Sequence, residues 1–278
     1  ADLFSDVIVN GALTFIAGNI ETQDFILSQP SSGTVIGAAQ NTGWVFGNLQ
    51  KNIGTGNTSK TFEVGDTSTY APVALAFSSV STAGDITIHT TAGDHPNIAS
   101  SIINGAKSVN RFWSISNDAV VFSNYSATLN FSAGDIDGGA STSAFGVELF
   151  DGSNWNLPVV ASPSATHIQA TGLTEFGAFA VGEVCNIGTS IAYAGTPYCS
   201  DGGTATVTLT GSTGGTFTSN SDLSINSTTG AVDLSASIPG TYSVNYIIEA
   251  AGECPDYLTS AMIEITEAPY ATFYYDGS

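Results

Sequence analysis

Hydrophobic and polar residues alternate along most of this chain in short runs. Runs such as Val73–Phe77, Asp85–His89 and Phe112–Ile115 place every second side chain on the same side of an extended backbone. Gly, Asn, Asp and Pro bound the runs, and no window keeps the apolar spacing of an amphipathic helix for more than about two turns. The pattern therefore predicts an all-β protein whose short strands stack into sandwiches or barrels.

Residues 1–50 have a different sequence pattern, in which glycines separate short apolar runs. Examples are Asn10–Gly18, Gly33–Gly37 and Gly43–Gly47. This spacing is typical of β-solenoid coils or of the edge of a β-meander, where each short strand needs a neighbour to bury its face. We expect a β-rich module over residues 1–183, a β-sandwich or β-meander, with residues 1–50 as a separate solenoid-like or edge segment.

The second half of the chain alternates more regularly. Thr204–Thr210, Tyr242–Ile248 and Ala261–Ile265 each place small or apolar side chains on one face, and glycine-containing turns separate them. About six or seven such strands in about 85 residues predict an immunoglobulin-like β-sandwich. We assign residues 184–269 to this repeat.

A partial repeat follows this module. Ala271–Ser278 restates the register of Thr189–Thr196, with Tyr275 lying 82 residues after Tyr193. Self-similarity at a fixed period indicates an array of modules, so residues 270–278 are predicted to be the first strand of a next repeat. Alternatively, these residues protrude and complete a neighbouring subunit's sheet by strand donation.

Charge limits the partners of the chain. The formal net charge is −20, and the four basic residues all precede residue 112. Nucleic acids and anionic membranes need clustered Lys and Arg, so neither is an expected partner, and no apolar run is long enough for membrane insertion. The absence of lysine after Lys107 also excludes a Lys–Asn isopeptide crosslink in the second module.

The three cysteines predict one disulfide, which suggests an extracellular environment. Cys199 lies at the head of the second module and Cys254 before its last strand, so a bond between them would close a loop of about 56 residues. Cys185 has no counterpart one period later, where the residue is Glu267. We therefore pair Cys199 with Cys254 and expect Cys185 to be unpaired or bonded between modules.

Few side chains suggest chemistry. Glu148 with Asp151, or Glu63 with Asp66, are the carboxylate pairs that a glycosidase would use, but each lies at a strand edge where a solvated acid is the usual explanation. We therefore expect no catalytic residues and no enzyme.

Asp135 and Asp137 precede a glycine turn and are weak candidates for calcium ligands, although the further donors of a calcium loop are missing. Turn formation explains these two residues without an ion, and no other metal or cofactor is expected.

Aromatic residues offer one candidate ligand contact. Trp113 lies inside an apolar run and is predicted to be in the core, whereas Trp155 lies in a polar turn and would suit stacking on a sugar. His89 and His95 flank a predicted strand end and turn, where surface positions are expected.

The second module closely resembles the Ig-like tandem repeats of very large surface proteins of Bacteroidota. The matching segments are Ile191–Gly211, Gly214–Thr218, Leu223–Asn226, Thr229–Ser235, Pro239–Tyr246 and Cys254–Pro255, within about residues 187–278. The first unit looks, more loosely, like a module common in the same proteins. That likeness lies in Gly43–Lys51, Thr61–Gly65, Tyr70–Val73, Arg111–Ile115, Asp151–Trp155 and Phe176–Gly182.

The resemblance implies export by the type IX secretion system and display at the cell surface. The expected function is a non-catalytic structural or adhesive segment of a long extracellular filament, with neighbouring repeats or identical subunits as partners. The alternative from another class is a carbohydrate-binding module of a secreted polysaccharide-degrading protein, with surface glycans as ligands. A second structural alternative is a filament subunit that polymerises through residues 270–278.

Overall fold

The computed structural model describes residues 1–156, 158–185, 188–249, 254, 256–269 and 276, without the side chains of residues 159–162. Strands account for 55% and helices for 3% of the structure, which confirms the all-β class. The chain forms two compact units, Ala1–Val184 and Cys185–Ser278, and this division lies one residue from the predicted boundary. The predicted strand at 270–278 lies outside the described residues apart from Asp276.

The first half of the first unit contains nine strands within the described residues. They are β1 (Val7–Ile8), β2 (Ala12–Thr14), β3 (Ile20–Gln29), β4 (Thr34–Ile36), β5 (Val45–Ile53), β6 (Gly56–Phe62), β7 (Val64–Gly65), β8 (Val73–Thr82) and β9 (Gly84–Ala92).

The second half of this unit adds nine described strands and three short 3-10 helices. The strands are β10 (Ile103–Ser108), β11 (Arg111–Asp118), β12 (Val121–Phe122), β13 (Tyr125–Asn130), β14 (Phe145–Phe150), β15 (Trp155–Asn156), β16 (Val159–Pro163), β17 (His167–Leu173) and β18 (Ala178–Val184). The 3-10 helices are Ile98–Ser100, Ala133–Asp135 and Thr142–Ala144.

Two sheets enclose the core of the first unit. The larger has ten described strands in the order β1-β3-β5-β9-β11-β18-β14-β15, with β7 beside β5 and β10 beside β18. The smaller has six, in the order β12-β8-β13-β17-β16, with β6 beside β8. Alternate residues of both sheets point inward, so Trp113 is fully buried as predicted and packs in the same core as Leu75 and Leu129.

The first 53 residues wind as parallel coils. β1, β3 and β5 pair in parallel in the larger sheet, while β2 and β4 pair in parallel in a two-stranded sheet of their own. The chain visits these two sheets in turn, which is the arrangement of a β-solenoid. Leu27, Val45 and Leu49 belong to the core of the whole unit, so this segment is not a separate domain.

A glycine explains the close winding of the coils. Gly43 has a φ of +129°, and a Cβ atom there would lie 2.0 Å from the backbone oxygen of Gly18. A side chain at position 43 would therefore collide with the preceding coil, and the positive φ favours glycine as well.

The second unit has its own core and eight strands within its described residues. They are β19 (Ser190–Ala192), β20 (Tyr198–Cys199), β21 (Thr204–Ala205), β22 (Thr208–Thr210), β23 (Thr216–Thr218), β24 (Val232–Asp233), β25 (Gly240–Ile248) and β26 (Tyr257–Thr266). Buried residues of this core include Ala205, Tyr246 and Ile263, which the alternating pattern predicts to face inward.

The connectivity of this unit is immunoglobulin-like. One layer has the order β20-β26-β25-β23, in which β20 and β26 are parallel, and the pairs β19–β22 and β21–β24 contribute to the same core. The Tyr242 hydroxyl, near the start of β25, donates a hydrogen bond to the backbone oxygen of Ile238. This contact is the tyrosine corner found in many immunoglobulin-like domains.

The predicted Cys199–Cys254 disulfide is wrong, because Cys185 is bonded to Cys254 with a Cα–Cα distance of 5.5 Å. Cys199 pairs in register with Thr266 near the end of β26, whereas Cys254 precedes the start of that strand. Ten strand residues span about 33 Å, far beyond the reach of a disulfide. Cys199 is a free thiol, and its sulfur lies 3.9 Å from the backbone oxygen of Glu267.

We predict that breaking the observed disulfide destabilises the second unit. The bond joins residues 69 positions apart, and a loop of that size corresponds to about 4 kcal/mol by the chain-entropy estimate. Cys185→Ser should therefore lower the free energy of unfolding of this unit by about 4 kcal/mol, measured by chemical denaturation.

Cys199→Ser is the matched control and should leave the stability of the second unit nearly unchanged. Peptide mapping without reduction should recover a crosslinked pair containing Cys185 and Cys254. Recovery of a Cys199–Cys254 pair instead would contradict the assignment.

Candidate ligand-binding site

The outer face of the ten-stranded sheet carries a row of side chains in register across four strands. Ser114 on β11 lies opposite His89 on β9 and Ala178 on β18. Ala178 in turn lies opposite Phe150 on β14. Because side chains alternate along a strand, these four point away from the core that their neighbours fill.

A groove crosses this row because its central side chains are small. Ser114, Ala178 and Gly177 form the floor, and the larger His89 and Phe150 stand on either side. The cavity volume is about 350 Å³, within the range of small-molecule sites. A Cβ atom at Gly177 would lie 2.1 Å from the backbone oxygen of Phe150, so glycine permits this close approach.

The polar lining of the groove is uncharged except at one end. Asn48, Thr87 and Ser116 also line it, together with Asp151. Burial lowers the pKa of His89, which favours a neutral imidazole at neutral pH. Asp151 is ionised, because the backbone N–H groups of Asn154 and Ser153 lower the pKa of its carboxyl. With no cation among its lining residues, the groove suits a neutral polar ligand with an apolar face, and not an anion.

Trp155 lies beside the groove and contacts its wall. Its ring packs 5.1 Å from Phe150 and 5.0 Å from His95, between ring centroids. The indole N–H donates to the backbone oxygen of Asn97 and to the Ser100 hydroxyl, at 3.1 and 3.2 Å. Trp155 therefore anchors the loop around the first 3-10 helix, and Phe150 presents the aromatic surface within the groove.

His95 is buried in this aromatic cluster and does not lie at the surface. Its ring is also 5.1 Å from Phe112, and its Nδ1 accepts a hydrogen bond from the backbone N–H of Asn97. Burial lowers its pKa, so packing alone accounts for this histidine. The sequence pattern around His95 did not predict this burial, because the aromatic residues that cover it come from strands that are distant in the sequence.

The first nominated carboxylate pair does not converge. Glu148 is buried and accepts a hydrogen bond from the backbone N–H of Ile102 at 2.8 Å. Burial raises its pKa, although the Ile102 N–H opposes this effect. Asp151 lines the groove but Glu148 does not, so the two acids do not face a common substrate position.

The second nominated pair is divided between two ion pairs. Glu63 contacts the Lys51 ammonium at 2.6 Å. Asp66 instead contacts the fully buried guanidinium of Arg111, also at short range, 2.5 Å. Each acid is therefore engaged by a cation inside the unit.

Arg111 joins three segments of the first unit. Besides Asp66, it binds Asp135 through Nη2 and Nε, at 3.0 and 3.3 Å, and Nη1 donates to the Thr90 hydroxyl at 3.2 Å. The backbone oxygen of Asp66 also accepts a hydrogen bond from the Trp44 indole N–H at 2.8 Å. The network ties loops from separate parts of the chain to β11.

The two candidate calcium ligands have structural partners. Asp135 pairs with Arg111 and also caps its own 3-10 helix through Ser132. Asp137 accepts hydrogen bonds from the Ser108 backbone N–H and from the Asn110 amide, at 2.8 and 2.7 Å. Among the described residues, no group of three or more His, Cys, Asp or Glu side chains could hold a metal ion.

Sequence reasoning did not predict the groove. It named Trp155 beside the groove, and it named His89 and Asp151 in the lining, but for other roles. The alternation in Val147–Phe150 does put Phe150 on the opposite face from Leu149. Its partner across the row, His89, is 61 positions away, and strand order alone brings the two together.

Comparison with known proteins adds no assignment. No protein-family model matches the chain, and no curated protein matches its sequence. The resemblance to Bacteroidota surface repeats therefore stays a prediction. In the described part of the chain, no helix combines the length and apolar character needed to cross a membrane.

We predict that breaking the Arg111 network destabilises the first unit strongly. Arg111→Met would leave two buried carboxylates without their cation, and breaking a buried pair typically costs about 3–5 kcal/mol. Lys107→Met is the matched control, since Lys107 is half-exposed and its contact with Glu183 is 3.4 Å long. The control should change the free energy of unfolding by less than about 1 kcal/mol.

Acidification gives a second test of the same network. Burial alone would raise the pKa of Asp66, but the Ser68 N–H and the Arg111 guanidinium outweigh it and lower the pKa. Ionised Asp66 therefore stabilises the fold above about pH 4, and this stabilisation is lost as the pH falls through the folded pKa. The stability difference between wild type and Asp66→Asn should shrink from pH 6 to pH 2, and a constant difference would contradict the assignment.

Proposed function

We propose that the chain is a non-catalytic structural and adhesive segment of a long extracellular surface protein. The observation that carries the proposal is that three of the four nominated catalytic carboxylates serve to hold the fold. Glu63 and Asp66 bind buried cations, and Glu148 holds a loop. The disulfide and the net charge of −20 suit an oxidising exterior and a soluble, displayed surface.

Surface display can be tested on the source cells. Antibodies against the chain should label intact cells, and external protease should remove the label while a periplasmic marker stays intact. Deleting the coding region should reduce attachment to surfaces without changing growth. Labelling that appears only after the cells are lysed would contradict the proposal.

The groove on the larger sheet favours a second candidate function, which is binding of a neutral glycan. Phe150 offers an aromatic surface for the apolar face of a sugar ring, and neutral His89, Ser114 and Asn48 offer hydrogen-bonding atoms. His89 is only partly buried, and its side chain lines the groove. A displayed module with such a groove would adhere to polysaccharide without hydrolysing it.

A glycan array followed by calorimetry tests this second function. Phe150→Ala should weaken binding by about 2- to 13-fold, the equivalent of an aromatic contact of roughly 0.5–1.5 kcal/mol. His89→Ala should also weaken binding. Thr128→Ala, on the outer face of the smaller sheet, should have no effect.

Folding of each variant is checked by thermal unfolding, because Phe150 also packs on Trp155. Trp155→Ala should act mainly by loosening the loop it anchors. No binding to any neutral glycan, or binding indifferent to both groove substitutions, would reject the second function.

A further inference from the structure

The outermost coil of the first unit has one unpaired side. In the described chain, β1 pairs only with β3, and β2 only with β4. The Val9 N–H bonds to Ser28 and the Phe15 N–H to Ile36, both at 2.9 Å. In a parallel ladder, successive residues of a strand point their N–H and C=O groups alternately toward one neighbouring strand and toward the opposite side. The backbone groups of Ile8, Ala12 and Thr14 therefore face away from the coil stack.

The apolar interior of the coil ends at the same side. Val7 stacks on Leu27, and Leu27 on Leu49. Leu13 stacks on Val35 in the other pair of strands. Leu27 and Leu49 are buried, whereas Val7 and Leu13 are only partly covered, because no further layer lies over them.

Exposed apolar side chains concentrate around this edge. Within the described part of the first unit, four of the five large hydrophobic side chains that are exposed belong to residues 1–36. Phe4 is 88% exposed, Ile16 84% and Ile8 66%. Ile8 lies on β1 itself, and Phe4 and Ile16 lie within three residues of β1 and β2.

The edge also lacks Lys and Pro, which commonly protect unpaired strands, and its charged side chains are Asp2 and Asp6. Lys, Pro and bulges discourage edge-to-edge pairing in natural sheets. Residues 1–19 contain no Lys, Arg or Pro. By comparison, the edge strand β16 of the smaller sheet ends in Pro163.

We propose that the edge formed by β1 and β2 accepts one further parallel β coil, whose apolar side chains cover Val7 and Leu13. The occupant is a coil of the kind already present, because it would continue the row of parallel-paired apolar residues from Leu49 through Leu27 to Val7. Two identical copies meeting through a twofold axis would pair antiparallel and break that ladder. Their charge of −20 each also opposes such a dimer.

The register of the proposed coil follows from the coils already present. Asp2 pairs with Glu21, and Glu21 with Phe46. Ala1 therefore occupies the position that Ile20 and Val45 occupy in the next two layers. A copy of residues 20–44 joined directly to Ala1 would place its Ile20 over Ala1. A register shift of one residue, in a strand that already shifts register against β5, would bring its Leu27 over Val7.

This inference goes beyond the proposed function, because it concerns only the edge of the first unit. Its test gives a result whether or not the protein is displayed on cells. Failure of the surface-labelling experiment would leave it intact, and its own failure would leave surface display intact.

The test uses the full chain extended by a copy of residues 20–44 before Ala1. Hydrogen exchange should show at least tenfold slower exchange at the amides of Ile8, Ala12 and Thr14. The amides of Val9 and Phe15, which are already bonded within the stack, should change less. The midpoint of thermal unfolding of the first unit should rise.

The matched control carries the same extension with Leu27→Asp and Val35→Asp in the copied segment only. It should give no protection, because the copied coil could no longer cover the apolar layer. Equal protection by both extensions, or no protection by the unaltered copy, would overturn the proposal. Failure of the unaltered extension to fold while the control folds would overturn it as well.

The unextended chain provides an independent measurement. Sedimentation should find a monomer in which the amides of Ile8, Ala12 and Thr14 exchange freely. A dimer that protects these three amides would overturn the proposal in favour of a second copy as the occupant.

Discussion

The first unit depends on one continuous hydrogen-bonded sheet whose inner face carries an unbroken apolar row. Val7, Leu27, Leu49, Ile88 and Ile115 stand side by side across β1, β3, β5, β9 and β11. The row crosses from parallel to antiparallel pairing at β5 without losing register. Because side chains alternate strictly along a strand, a slip of one residue in any of these strands would turn its apolar face to solvent. The same constraint fixes the outer face, so the groove of His89, Ser114, Ala178 and Phe150 is a consequence of the inner row.

Half of the basic side chains of the protein are used inside this unit. Lys51 and Arg111, two of the four basic residues, are buried and paired with acids. A buried ion pair adds little stability compared with an apolar replacement of similar shape, but it leaves few alternatives for the loops that supply its partners. Arg111 thereby fixes where the Asp66 and Asp135 loops lie against β11. The remaining acids give the surface its strong negative charge. The lining of the groove contains no Lys or Arg.

The alternation of side chains predicted most strands and their buried faces, because that property is local. Val73–Phe77 and Tyr242–Ile248 lie where the pattern places them. It did not predict which strands are neighbours, since pairing depends on contacts between distant residues. The disulfide prediction was wrong for this reason. Position in the repeat favoured Cys199, but the parallel pairing of β20 with the end of β26 places Cys199 far from Cys254. The groove was missed for the same reason, although His89 and Ser114 lie on runs that the alternation predicts to be strands.

The change from parallel to antiparallel pairing at β5 also explains why one end of the coil stack is covered and the other is not. A parallel coil buries its face only against another coil, and so each layer needs a neighbour on both sides. The antiparallel strands from β9 onward meet this need on one side, since β9 pairs with β5 and its inward side chains join the sandwich core. The sandwich therefore acts as a cap for that end of the coil stack. No corresponding element covers β1 and β2 among the described residues, and the apolar row that organises the unit stops there with its outermost layer partly exposed.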